Sequence, residues 1–113
     1  MNEIIKQKLK DILKVINDVE TYLNKRKFHE CHEVEVYGVV HCLQIIGEAS
    51  RSLPEDFRKK HKEINWQNII GMRHMIVHEY FRVDLNIVEK VLNEHLPVLK
   101  SQIEKILDLE KLT

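Results

Sequence analysis

Glu33-Val34-Glu35-Val36-Tyr37-Gly38-Val39-Val40-His41-Cys42-Leu43-Gln44-Ile45-Ile46-Gly47-Glu48-Ala49-Ser50-Arg51-Ser52-Leu53 reads as one helix. Val36, Val39, Val40, Leu43, Ile46, Gly47, Ser50 and Leu53 recur at helical spacing and line one side of it. Gly47 inside a helix costs about 1 kcal/mol against Ala, a cost that a close approach by another helix would explain. Gln44, Glu48 and Arg51 form a polar ridge. Glu48 is placed to orient a neighbouring Arg or His, and Arg51 to support it. An ordinary Glu–Arg surface pairing is the plainer reading. Leu53-Pro54 opens a turn and ends the helix.

Outward from this element the same spacing recurs. Ile5, Leu9, Ile12, Ile16, Val19 and Leu23 make a continuous seam, predicting a first helix from about Glu3 to Lys27. Pro54-Glu55-Asp56-Phe57 opens a short helix, with Pro early and acids in the first turn. Asn65 caps the next helix, which carries Trp66, Ile69 and Ile70 and continues through Met72, Met75 and Ile76. Asp84 caps a last helix from about Leu85 to Leu109. Its seam is Val88, Val91 or Leu92, Leu96, Leu99, Ile103, Ile106 and Leu107, and Pro97 bends or divides it. The sum is an all-α, up-down bundle of four main helices plus a short helix, one domain over residues 1–113.

Composition agrees. Three Gly and two Pro among 113 residues leave few breaks, and the length suffices for a core without metal or disulfide staples. Eighteen basic and 18 acidic residues cancel, which excludes coating nucleic acid by bulk charge, so any phosphate recognition must be local. No apolar run is long enough to span a membrane and no secretory signal opens the chain, so the expected location is the cytoplasm. There Cys31 and Cys42 are expected to be reduced thiols.

The chemistry concentrates in Arg73-His74-Met75-Ile76-Val77-His78-Glu79-Tyr80. Arg offers a planar fork of donors that fits phosphate oxygens. His both takes and gives a proton near neutral pH. Tyr carries a hydroxyl that binds, stacks or is modified. On an ideal helix Arg73 and Tyr80 lie nearly above one another, but His78 stands roughly 140° from Arg73. A compact site therefore needs the helix to loosen near His78, or a second copy of the chain to complete it.

Two other polar clusters, and a histidine pair within the motif, have plainer readings. Phe28-His29-Glu30-Cys31-His32-Glu33-Val34-Glu35 holds metal-binding residue types, but one helical turn cannot aim them all at one ion, so it reads as a polar helix entry. His74 and His78 stand one turn apart, and a pair of His is not a metal site. Arg58-Lys59-Lys60-His61-Lys62 is the densest basic run, suited to a helix C-terminus or a solvated face, with RNA contact as the alternative.

Gly47-Glu48-Ala49, then Pro54, then Trp66-x-x-Ile69-x-Gly71-x-Arg73-x4-His78-x-Tyr80, then Val83-Asp84, then Leu96-Pro97-x-Leu99, resembles the HepT-like branch of the HEPN superfamily. The resemblance runs from the first helix to about Ile106. It implies a homodimeric helical bundle and a metal-independent endoribonuclease toxin of a toxin–antitoxin pair, with no cofactor. It also implies that Arg73 and His78 are catalytic in a cleft between protomers, with RNA as substrate. The partner would be an MntA-like nucleotidyltransferase antitoxin that silences the toxin by AMPylation of Tyr80. His74 stands where the superfamily often has a small polar residue and takes no role. The alternative is a non-catalytic, nucleotide-binding partner subunit of a minimal nucleotidyltransferase.

Overall fold

The structure, a computed structural model, describes residues 1–72, 77–78 and 82–111, with the backbone alone at 77, 78, 82 and 83. The elements in order are α1 (Glu3–Leu23), a 3-10 turn (Phe28–Glu30), α2 (Glu33–Arg51), α3 (Glu55–Lys60) and α4 (Trp66–Ile70). Then come β1 (Val77–His78), β2 (Arg82–Val83), α5 (Leu85–Lys90), a π-helical turn (Val91–His95) and α6 (Leu96–Lys111). Among the described residues the chain is an all-α bundle carrying one two-residue antiparallel ladder.

α1 is the central post. Asn2 caps it, its side chain accepting from Ile5 N–H at 2.8 Å. Lys8 Nζ donates to Ser52 O at the end of α2 (2.8 Å), while Tyr22 and Arg26 meet Glu35 at its start. The two helices therefore run antiparallel. α6 returns the same way along α1: Lys100 pairs with Glu20 (3.0 Å), and the Met1 ammonium with Glu110 (2.9 Å).

The seams read from the sequence are the core. Leu9, Ile12, Ile16, Val19 and Leu23 of α1 are buried, and Ile5 packs on their edge. All eight seam residues from Val36 to Leu53 are buried. In the last helix Val91 is the buried member and Leu92 the partly buried one. Ser50 is the one fully buried polar side chain among the described residues, and its hydroxyl donates to Ile46 O (2.8 Å).

Three boundaries differ from expectation. α1 stops at Leu23 rather than Lys27, because Asn24 turns left-handed (φ 43°, ψ 54°), a conformation Asn tolerates, and its N–H closes on Glu20 O. Pro97 does divide the last helix, but the irregularity lies one turn earlier. A proline ring crowds the carbonyl four residues back, and the backbone answers with a π turn in which Leu96 N–H bonds to Val91 O. The helix expected to continue through Met72, Met75 and Ile76 is interrupted: α4 closes at Ile70 with Gly71 as its C-cap, Met72 is again helical, Met75 and Ile76 lie outside the described residues, and the chain is extended at Val77–His78. β-branched Val77 and Val83 suit an extended backbone, and they are register partners there.

Candidate functional site

The site is built from the two ends of the motif segment. Before it, Asn65 caps α4, its side chain accepting from Asn68 N–H at 3.1 Å. Trp66 is buried, donates from Nε1 to His61 O (3.0 Å) and packs 6.2 Å from the Phe57 ring. Gly47 lets α4 lie against α2: a β-carbon there would stand 3.1 Å from Ile69 O and 3.7 Å from Ile70 O. After the segment, Asp84 Oδ1 accepts from Asn86 N–H (3.1 Å) and Ile87 N–H (3.2 Å), fixing the start of α5.

Between those clamps, His78 sits in the ladder with Arg82 as its register partner, and Val77 faces Val83. The backbone is thus extended at His78, one of the two ways out of the helical-wheel conflict with Arg73. Arg73 and Tyr80 lie outside the described residues, as do His74, Met75 and Ile76. Arg82 carries no motif signal in the sequence; only the pairing register singles it out.

Glu48 and Arg51 are exposed on α2. They follow Gly47 directly and by one turn, so both stand at the end of α2 that meets α4. Among the described residues no hydrogen bond or ion pair joins them, and the simple surface pairing is not formed.

A groove of about 430 Å³ runs between α4 and the last helices. Its floor is Ile69, Met72, Ile87 and Val91, and Asn68, Lys90 and His95 stand among its polar lining. Met72 immediately precedes Arg73, while Ile87 and Lys90 follow the motif on α5. The groove thus includes the residue that leads into the motif and residues of the helix that follows it in the chain. Lys90 and His95 carry no motif signal, since each is an ordinary polar residue on an amphipathic helix.

The polar clusters set aside above have structural work. His32 caps α2, its ring Nδ1 accepting from Val34 N–H (3.2 Å), and Glu35 accepts from His32 N–H (2.9 Å) to close a capping box. Glu35 also accepts from Tyr22 hydroxyl (2.6 Å) and Arg26 (2.9 Å), and the Arg26 guanidinium lies over the Tyr22 ring at 5.1 Å. These bonds, Tyr22's first, hold the Glu35 carboxyl down to about 2. His29 pairs instead with Glu89 on α5 (3.2 Å). Cys31 and Cys42 are free thiols. Of the basic run, Lys59 pairs with Glu55 (3.3 Å) and His61 packs on Phe57 (4.6 Å between centroids). Among the described residues no helix is long and apolar enough to cross a membrane.

The family model described as "Ribonuclease HepT-like" matches residues 5–106. "Probable ribonuclease HepT" of Thermococcus cleftensis is 36% identical over 103 residues, covering 89% of this chain and 94% of that protein. "Putative RNase MJ1380" of Methanocaldococcus jannaschii is 34% identical over 102 residues, covering 88% and 94%. No solved structure gives a significant match. With a bundle whose seams, caps and glycine contact frame the Arg73–Tyr80 segment, and a family match across nearly its whole length, the chain belongs to the HepT-like ribonuclease family.

Proposed function

We propose that this chain is a metal-independent endoribonuclease toxin whose site is completed by a second copy of itself. The observation that carries the reading is Arg73-x4-His78-x-Tyr80 within the family-matched region, between two clamped ends and beside an open groove. A 2′-hydroxyl attacks the adjacent phosphorus as His78 of one copy takes its proton. His78 of the other copy protonates the leaving 5′-oxygen, since one imidazole does not easily serve both sides of the phosphorus. The Arg73 guanidiniums hold the charged oxygens of the phosphorane. The products are a 2′,3′-cyclic phosphate and a 5′-hydroxyl. Arg82, register partner of His78, adds a cation at that strand, and Glu48 and Arg51 support the site from α2.

Silencing follows from the same chemistry. A nucleotidyltransferase partner would join the Tyr80 phenol to the α-phosphorus of ATP, releasing pyrophosphate and leaving AMP on the oxygen. The added phosphate would occupy Arg73 and exclude RNA. The test is RNA cleavage in excess EDTA by the wild type, Arg73→Ala and His78→Ala. The wild type cleaves, and His78→Ala loses on the order of 10²- to 10⁴-fold. Cleavage that persists in His78→Ala, or that EDTA abolishes, contradicts the mechanism.

A further inference from the structure

We infer that the groove between α4 and the last helices is a base-reading subsite that holds one unpaired adenine of the RNA. The inference deepens the proposed function and rests on that reading for its substrate. The groove's volume, about 430 Å³, falls in the range of sites for small ligands, on the order of 300–1,000 Å³. Its floor of Ile69, Met72, Ile87 and Val91 is apolar. Such a floor suits the flat face of a base that has left its strand. Val91 and His95, the first and last residues of the π turn, both line it, and single π turns recur at functional sites.

The polar groups around that floor choose the base. Gln102 of α6 lines the groove, and its Nε2 donates to Glu63 O at 2.8 Å. That bond holds the amide and leaves Oε1 as a fixed acceptor. Asn68 of α4 also lines the groove and is exposed. Its backbone N–H is taken by Asn65, but its side chain makes no hydrogen bond among the described residues. An amide with donor and acceptor both open matches adenine, whose N7 and N6 amino group accept and donate to it together. The second N6 hydrogen then has Gln102 Oε1 as its acceptor.

Charge agrees with a nucleotide. Lys90 is exposed on the opposite wall and makes no ion pair among the described residues. The acid in the lining, Glu63, stands 3.4 Å from His61 instead. Lys90 is therefore available to the phosphate next to the base. The groove is also tied to the motif by the chain itself: Met72 in its floor is joined directly to Arg73.

The test measures fluorescence anisotropy of labelled 2′-O-methyl tetranucleotides of A, G, C or U with the full chain. The methyl group removes the attacking hydroxyl, so binding is read without cleavage. The variants are Asn68→Ala and Val98→Trp, with circular dichroism confirming that both fold. Val98 is 55% exposed where it lines the groove, so an indole there fills the space without entering the core. The wild type should bind the A strand on the order of tenfold tighter than the other three. Asn68→Ala should erase that preference, and Val98→Trp should weaken the A strand on the order of tenfold. Equal binding of all four strands by the wild type overturns the inference, as does unchanged A-strand binding in both variants. If RNA is cleaved as proposed while the variants bind like the wild type, the subsite falls and the proposed function stands. If the expected binding pattern appears with no cleavage of RNA, the proposed function falls and the subsite stands.

Discussion

Gly47 of α2 and Ile69 of α4 meet closely: a β-carbon on Gly47 would stand 3.1 Å from Ile69 O, tighter than an ordinary contact. The neighbour is a backbone carbonyl of a helix, which yields less readily than the tip of a side chain. Gly47→Val should therefore destabilise the fold by about 1–3 kcal/mol, as overpacking does, read as a lower urea midpoint with unchanged slope. Because α4 leads straight into Arg73, cleavage should fall more than stability alone explains. A neutral Gly47→Val would mean that the two helices separate freely.

Glu35 gives the fold an acid-sensitive joint. Its bonds to Tyr22, His32 N–H and Arg26 hold its carboxyl at about 2, below the ordinary 4.5. A depressed carboxyl contributes stability above its unfolded value and loses it as pH falls through the folded one. The wild type should therefore exceed Glu35→Gln in stability at neutral pH, and the gap should close between about 4.5 and 2. Thermal melts of both across that range check it, and a constant gap would contradict the assignment.

Asp84 holds the far end of the motif segment through two backbone bonds. Asp84→Ala should cost about 1 kcal/mol, the usual loss of a helix cap. It should also lower cleavage further, by freeing the strand that pairs with His78. Asp84→Asn keeps an acceptor and should restore most of both. An Asn variant as poor as the Ala variant would point to the charge instead of the cap.

Lys90 lines the groove between α4 and the last helices and stands exposed. If RNA lies there, Lys90→Ala should weaken binding across sequences and reduce the salt slope of log K by about 1. An unchanged slope in filter binding between 50 and 200 mM salt, concentrations where such contacts register, would put the strand elsewhere.

How far the sequence could be read depended on what each feature needs. The seams were legible because burial on one helix side leaves a spacing that survives without coordinates, down to Val36, Val39, Val40 and Leu43. The Asn65 and Asp84 caps were legible for a similar reason, each being one residue with one job. The ladder at Val77–His78 was not. Ile69, Met72, Met75 and Ile76 keep helical spacing up to its edge, and two residues are too few to set an alternation against it. Glu35's network was also hidden, since Tyr22 and Arg26 reach it across a helix boundary that the seam placed four residues too late. The motif itself was visible as chemistry, whereas Arg82 opposite His78 and Lys90 on the groove come from pairing register and helix placement, which no local pattern encodes.

The central claim is that each cleavage site uses His78 from two copies, and subunit mixing tests it most directly. Wild type and His78→Ala are combined at several ratios, refolded together so that subunits exchange, and RNA cleavage is measured in EDTA. If both imidazoles are required, activity follows the square of the wild-type fraction, so an equal mixture gives about a quarter of full activity. A linear fall, with half the activity at equal mixing, would show that each subunit cleaves alone.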